Sequence, residues 1–200
     1  MTLEKAILKV FPDAPIGDIM DTIERFDIQN PIEFIAQIAH ESGNFRTYSE
    51  NLNYSAQSLA KVWSNRFAGT EGTPNEKARL IARNPKEIAN AVYNGRMGNQ
   101  IGSNDGWNYR GRGAIQITGK SNYKQVGEVL FGKGSTELLD NPDCLSKLPY
   151  AILSAGAYWK MNKLSTVHDF KQLTKRINGG FIGLEERLAN KEKLENALAL

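Results

Sequence analysis

Two glutamates nine positions apart are the first candidates for chemistry in this chain. The stretch HESGNFRTYSE places Glu41 just after an apolar run and Glu50 in a polar segment. In PIEFIAQIAHE, Ile35, Ile38 and Glu41 are spaced three apart, so Glu41 is expected beside the apolar stripe in the last turn of a helix. Partial burial and the negative end of the helix dipole both disfavour the charged form of such an acid. Glu41 is therefore a candidate general acid for glycoside hydrolysis, and a glutamate turned outward to solvent is the alternative.

Polar side chains surround Glu50 in the segment YSENLNYS. Tyrosine, serine and asparagine can hydrogen-bond a carboxylate and keep it ionised, as a general base requires. Two acids whose surroundings favour different protonation states form a recurring acid/base pair. An ordinary solvated loop acid is the alternative for Glu50. The intervening residues leave the distance between the carboxyl groups open, and with it the choice between a retaining and an inverting enzyme.

The segment YRGRGAIQIT, residues 109–118, supplies further polar groups. Its two arginines alternate with glycines that permit tight backbone geometry, so a guanidinium could reach the acids or substrate carboxylates. A basic surface turn is the alternative for this part. In a strand-like AIQIT, alternation puts Gln116 and Thr118 on one face, opposite Ile115 and Ile117. Aromatic candidates for stacking on sugar rings, with core packing as the alternative, are Tyr93, Trp107, Tyr109 and Tyr123.

Apolar residues at helical spacing dominate the chain and predict a mostly α-helical protein. Asn30-Pro31 and Ser55 are predicted helix starts, whereas Gly95 and Gly179 follow predicted helix ends. Residues 94–120 form a long irregular segment between helices, which is typical of a functional loop. The ten predicted helical segments are 4–11, 16–26, 32–41, 56–66, 76–83, 86–93, 121–130, 149–160, 168–177 and 184–199.

Composition excludes several classes of protein. The single cysteine, Cys144, cannot close an internal disulfide, which favours folding in a reducing compartment. Neither a signal peptide nor a membrane span is predicted. The net charge of +3 mildly favours an anionic partner, but no Lys/Arg block or recognisable module indicates nucleic acid. His40-Glu41 begins like a zinc-protease helix but lacks the second histidine, so no metal site is expected.

Five segments together resemble the glycoside hydrolase family 19 chitinase-like domain, and most closely its phage endolysin branch. They are AQIAHESGNF, SENLNYSA, AVYNGRMGN, YRGRGAIQITGKSNY and KRINGG, and the similarity runs from about residue 30 to residue 188. The resemblance implies a mainly α, lysozyme-like fold of two lobes with a central cleft and at most a small β element. The length and apolar content of the chain favour a single domain over residues 1–200. The resemblance implies that this domain is catalytic and hydrolyses by single displacement with inversion, without metal or cofactor.

The resemblance further implies roles for individual residues. Glu41 corresponds to the general acid, Glu50 to the base that activates water, and Thr118 to a hydroxyl that helps hold that water. Gln116 and Asn122 match positions that line the sugar cleft, whereas Asn178 and Arg187 match groups around the active site. Together with the candidates from the YRGRG run, the expected substrate-binding residues are Tyr109, Arg110, Arg112, Gln116, Asn122, Asn178 and Arg187.

The phage members of this family are associated with peptidoglycan. The expected reaction is therefore hydrolysis of the β-1,4 bond between N-acetylmuramic acid and N-acetylglucosamine. A lytic transglycosylase, a chitinase and a non-catalytic wall-binding or virion module are the alternatives. We expect a monomer that binds glycan strands, with weak contact to the anionic envelope. It would be held in the host cytoplasm until another protein permeabilises the membrane, and would then act on the periplasmic wall.

Overall fold

The computed structural model describes residues 1–199, and this part of the chain is mostly helical, as predicted. Each of the ten segments with helical spacing overlaps at least one α-helix. No helix within residues 1–199 is long and apolar enough to cross a bilayer. The α-helices are α1 (Leu3–Val10), α2 (Ile16–Arg25), α3 (Pro31–Glu41), α4 (Ala56–Val62), α5 (Ser64–Phe67), α6 (Glu76–Ile81), α7 (Pro85–Tyr93), α8 (Asp105–Asn108), α9 (Lys120–Phe131), α10 (Glu137–Asp140), α11 (Tyr150–Met161), α12 (Phe170–Asn178) and α13 (Leu184–Leu198).

The chain divides into two compact units. The first contains Met1–Ser49, Arg112–Ile117 and the chain from Lys124 onward, and the second contains Glu50–Gly111 and Thr118–Tyr123. Glu41 therefore belongs to the first unit and Glu50 to the second. The expectation that residues 1–200 act as a single catalytic domain stays a prediction.

Helix α3 is the centre of the first unit. Its residues 34–39 are all buried, and α13 packs along it. The Phe34 ring meets Trp159 of α11 edge to face, with centroids 5.1 Å apart. Burying a large apolar side chain of this kind contributes about 1.5–3 kcal/mol. Because α3 is enclosed on nearly all sides, its last residue, Glu41, is held on a rigid element.

Helix α3 begins where the sequence predicts, but the Asn30 side chain does not cap it. The helix begins at Pro31 after Asn30, as predicted, yet the Asn30 side chain makes no capping hydrogen bond. Its Oδ1 instead accepts a hydrogen bond of 3.0 Å from the indole nitrogen of Trp159. A buried indole N–H needs a hydrogen-bond acceptor. The Asn30 side chain therefore accepts from Trp159 and does not cap α3. At α4, by contrast, Ser55 caps the helix as predicted and accepts from the Ser58 N–H at 3.1 Å.

The second unit has its own apolar core beneath α4 to α7. Helix α7 lies over this core and ends at Tyr93, where Asn94 leaves the helical conformation. The Ser103 carbonyl accepts from the Asn94 side-chain amide at 2.7 Å, which ties this helix end to the following loop. Tyr93 is thereby positioned by packed elements. The core residues are Leu52, Leu59, Phe67, Ala78, Ile81, Ile88, Ala89 and Val92.

The predicted strand AIQIT is wrong. Arg112 and Ile117 exchange two backbone hydrogen bonds, of 3.1 and 2.7 Å, and the residues between them form a tight turn. Gln116 has a φ of +55°, which no strand residue adopts. Ile115 and Ile117 are nevertheless buried and Gln116 is half-buried, so alternating burial persists without a strand.

Candidate active site

Glu41 lies at the carboxyl end of α3 with its side chain 16% exposed, and it forms an ion pair with Arg187 of α13. The guanidinium donates to Glu41 Oε1. Arg187 is only 1% exposed, so it is a buried cation whose charge is balanced by a carboxylate that still reaches the surface. The prediction from burial and the helix dipole did not include this cation, which lies directly beside the Glu41 carboxyl group.

A chain of polar groups holds Arg187 in place. Its second terminal nitrogen donates to Gln37 Oε1 at 2.5 Å, one helical turn before Glu41. Gln37 Nε2 donates to Thr174 Oγ1 at 2.9 Å, and that hydroxyl donates to the Phe170 carbonyl at 3.0 Å. Gln37 and Thr174 are fully buried. Since buried hydrogen-bond networks are costly to break, this chain fixes the carboxyl group of Glu41 against three helices.

The loop before α13 packs beside the residue that precedes Glu41. Gly183, with a φ of +71°, lies directly against the His40 imidazole. His40 Nδ1 is also 2.8 Å from a carboxylate oxygen of Glu186, in the first turn of α13.

A tyrosine of α11, Tyr158, also lies near Glu41. Burial and then the negative charge of Glu41 raise the pKa of Tyr158 above its ordinary value. A neutral phenol therefore lies near the acid throughout the physiological range.

Glu50 accepts a hydrogen bond on each carboxylate oxygen. Tyr93 O–H donates to Oε2 at 2.7 Å, and the Gly111 N–H donates to Oε1 at 2.5 Å. The backbone N–H of Glu50 also donates to the Gly111 carbonyl at 2.9 Å, which fixes the main chain. The sequence pointed to adjacent side chains as the donors, but these two donors lie 43 and 61 residues further along the chain. Hydrogen bonds from fixed donors stabilise an ionised carboxylate.

Tyr93 remains a hydrogen-bond donor because its raised pKa keeps the hydroxyl protonated. Burial, the negative charge of Glu50 and the hydrogen bond to it all raise the pKa of Tyr93 far above its ordinary value. The sequence suggested Tyr93 for stacking on sugar rings, whereas the structure gives its hydroxyl to Glu50. It is therefore a positioning residue for that carboxylate.

Several other predicted site residues lie in the second unit. Arg110 stacks its guanidinium 3.8 Å above the centre of the Trp107 ring. Tyr109 is buried, with its ring edge to face against Tyr123 at 5.3 Å. Thr118 is half-buried, and its carbonyl accepts from the Asn122 side-chain amide at 2.7 Å. Tyr109 thus packs in the interior of this unit, and its contact with substrate stays a prediction.

The remaining predicted residues lie in the first unit. Arg112 is 1% exposed and paired with Asp143, so it is a buried cation in this unit, and its contact with substrate stays a prediction. Asn178 at the end of α12 is half-buried, and its amide donates to the Ile182 carbonyl at 3.4 Å. Half-buried Gln116 lies in the turn closed by Arg112 and Ile117. Of this unit's candidates, Arg187 forms an ion pair with Glu41.

Two positioning residues were missed by sequence reasoning. Gln37 is a lone amide within the apolar run IEFIAQIA, four residues before Glu41, and this spacing could have indicated a partner on the same helix face. Thr174 carries no comparable signal.

Among residues 1–199, no group of three or more histidine, cysteine, aspartate or glutamate side chains could hold a metal ion.

Comparison with known proteins identifies the family and the fold. No family model matches the chain. A glycosyl hydrolase family 19 domain-containing protein of Haemophilus influenzae is 37% identical over 194 residues, which cover 94% of this chain and 92% of that protein. An endochitinase of Arabidopsis thaliana is 39% identical over 77 residues, covering 38% of this chain and 26% of that protein.

Solved structures of chitinases share the fold. A bacterial family 19 chitinase aligns with a TM-score of 0.58 at 16% identity, over 98% of this chain and 94% of that one. Chitinase C of Streptomyces griseus aligns with a TM-score of 0.54 at 16% identity, over 98% and 76% of the two chains. With a relative that is 37% identical over nearly its whole length, this chain belongs to glycoside hydrolase family 19 and is a glycoside hydrolase.

Proposed function

We propose that this enzyme is an endolysin that hydrolyses the β-1,4 bond between N-acetylmuramic acid and N-acetylglucosamine in bacterial peptidoglycan. The observation that carries the proposal is the contrast between the two acids. Both oxygens of Glu50 accept hydrogen bonds from fixed donors, whereas one oxygen of Glu41 is held by a buried arginine at the end of an enclosed helix. The choice of peptidoglycan rests on the similarity of the five sequence segments to phage members of the family.

In the proposed reaction, Glu41 gives its proton to the leaving glycosidic oxygen. Glu50 takes a proton from a water molecule, which attacks the anomeric carbon from the opposite face and inverts its configuration. Thr118 helps to hold that water. Arg187 holds Glu41 Oε1 before the transfer and balances the negative charge left on Glu41 afterwards. Tyr93 and the Gly111 N–H orient Glu50 through their hydrogen bonds to its two carboxylate oxygens.

The proposed setting is host lysis. The enzyme would be held in the host cytoplasm as a monomer and would reach the periplasmic wall after another protein permeabilises the membrane. Expression in a Gram-negative host tests this. Turbidity should fall only when a permeabilising agent is added, and lysis without the agent would contradict the proposed route.

Chitin is the second candidate substrate, because the solved structures that share the fold are chitinases. Two further alternatives concern the reaction. A lytic transglycosylase manages with one catalytic acid and leaves 1,6-anhydromuramic ends, whereas a non-catalytic module binds the wall without turnover.

One digestion separates these possibilities. Purified enzyme is incubated with peptidoglycan and, separately, with soluble chitin oligomers, and the fragments are identified by mass spectrometry. We expect new reducing ends at N-acetylmuramic acid. Cleavage of chitin oligomers alone would indicate a chitinase, and binding without fragments a non-catalytic module. Anhydro ends that persist in Glu50→Ala would indicate a transglycosylase.

A further inference from the structure

Two lysines converge on one exposed aromatic ring at the end of α12. The ammonium groups of Lys171 and Lys175 lie 5.8 and 5.9 Å from the centre of the Phe181 ring, which is within the range of cation–π attraction. Phe181 is 46% exposed, and its neighbour Ile182 is 79% exposed. We call these four residues, Lys171, Lys175, Phe181 and Ile182, the lysine–phenylalanine patch.

The patch adjoins the elements that hold Glu41. The Asn178 amide donates to the Ile182 carbonyl, which ties the loop of the patch to the end of α12. The next residue, Gly183, lies against the imidazole of His40, the residue that precedes Glu41. All of these residues belong to the first unit. The loop of the patch is therefore linked to the end of α3, which carries Glu41, through the contact between Gly183 and His40.

The charges of the patch are not balanced on its own helix. The α12 sequence FKQLTKRIN contains three cations and no acid, and both lysines of the patch are exposed. Like charges four residues apart on a helix repel each other. An anion placed between the two ammonium groups would remove this repulsion, and the exposed Phe181 and Ile182 would contact apolar parts of the same ligand. The patch thus fits a carboxylate attached to a group with apolar portions.

Peptidoglycan offers such a group, whereas chitin does not. Each N-acetylmuramic acid carries a lactyl ether that ends either in a carboxylate or in a peptide bearing free carboxylates. Chitin is an uncharged polymer of N-acetylglucosamine. We propose that the lysine–phenylalanine patch binds the carboxylates of the stem peptide and so selects peptide-bearing glycan. This inference rests on the proposed peptidoglycan hydrolase function.

The test compares Lys171→Gln/Lys175→Gln with a matched control, Lys5→Gln/Lys9→Gln. The control lysines are also exposed and four residues apart on a helix, α1, of the same unit. Initial rates are measured on three substrates: peptidoglycan with its stem peptides, the same glycan after an amidase has removed them, and chitin hexamer. In the second substrate the amidase has freed the lactyl carboxylate from its amide bond, so this substrate tests that group without the peptide carboxylates.

We expect the patch variant to raise KM on peptide-bearing glycan by about three- to tenfold with kcat unchanged, as for the loss of two exposed charge pairs. The effect should fade at high salt, because exposed charges are screened. Chitin hexamer should be cleaved at the wild-type rate, and the control variant should match the wild type on all three substrates. Phe181→Ala should also weaken the preference for peptide-bearing glycan.

The outcomes separate the inference from the function on which it rests. An equal loss on all three substrates, or no loss on peptide-bearing glycan, would overturn the role of the patch while wild-type cleavage of peptidoglycan stands. A loss of equal size on both muramic acid glycans, with none on chitin hexamer, would overturn selection of the stem peptide, because the glycan without peptide offers only the lactyl carboxylate. Failure of the wild type to cleave either muramic acid glycan would overturn the proposed function, and the inference with it.

Discussion

Replacing Tyr93 by phenylalanine tests how the fold orients Glu50. The change removes only the hydroxyl that donates to Glu50 Oε2 at 2.7 Å and leaves the Gly111 N–H on the other oxygen. A hydrogen bond to a charged group contributes about 1.5–3 kcal/mol. If this energy orients the base in the transition state, its loss lowers kcat by about 10- to 100-fold, since about 1.4 kcal/mol corresponds to a factor of ten.

The assay for Tyr93→Phe is the rate of new reducing ends at saturating peptidoglycan. Tyr123→Phe is the matched control, because its hydroxyl donates at the same length, 2.7 Å, to the neutral Arg110 carbonyl in the same unit. This control should lose about 1 kcal/mol of stability and keep kcat near the wild-type value. Equal kcat in Tyr93→Phe and the control would refute the positioning role of Tyr93.

The raised pKa of Tyr93 adds a pH dependence to the same comparison. Tyrosine in the unfolded chain loses its proton near pH 10, whereas folded Tyr93 keeps its proton to higher pH. The contribution of this group to stability is therefore fully present below about pH 10. Above that value it falls by up to about 1.4 kcal/mol per pH unit. Urea unfolding from pH 8 to 11 should show the difference between wild type and Tyr93→Phe constant up to about pH 10 and shrinking above it; a constant difference throughout would contradict the reasoning.

Two further predictions concern the surroundings of Glu41. Arg187→Lys keeps a positive charge but loses the planar guanidinium that donates to both Gln37 and Glu41. We therefore expect kcat/KM to fall 10- to 100-fold and the free energy of unfolding to fall by about 1–3 kcal/mol. Wild-type kinetics in a folded variant would contradict a role for Arg187 in the reaction. Gly183→Ala should destabilise more than Gly179→Ala in urea unfolding. Both glycines have positive φ, which costs an alanine about 1–2 kcal/mol, but only at Gly183 would a Cβ overlap the His40 ring. Equal losses of stability would show that the loop moves away from His40 at no cost.

Much of the fold follows from local patterns in the sequence. Apolar spacing predicts the long helices, and the Ser55 cap and the Gly179 stop, which has a φ of +74°, occur where expected. The single-turn helices α8 and α10 contain four residues each, too few to show a period. The run AIQIT alternates like a strand, but alternation reports burial and not backbone conformation, and the left-handed Gln116 makes the segment a turn.

The site was harder to predict because its contacts are distant in sequence. Glu41 follows from its place on an apolar helix, yet its buried partner Arg187 lies 146 residues away. Only the family resemblance pointed to Arg187, since one arginine among the many charged residues of α13 carries no local signal. The sequence suggests Tyr93 only as a ring that could stack on sugars. Its hydrogen bond to Glu50 depends on how α7 packs on the core of the second unit, which the local sequence does not show.

The most direct test of two-acid catalysis compares Glu41→Gln and Glu50→Gln on one defined muropeptide, with products identified by mass spectrometry. Glutamine preserves the shape of each side chain but can neither give nor take the catalytic proton. General acid or base catalysis contributes about 10²- to 10⁴-fold, so each folded variant should lose at least about a hundredfold in rate, with no anhydro product. A folded Glu41→Gln variant that still releases reducing ends at the wild-type rate would contradict the assignment of Glu41 as the proton donor.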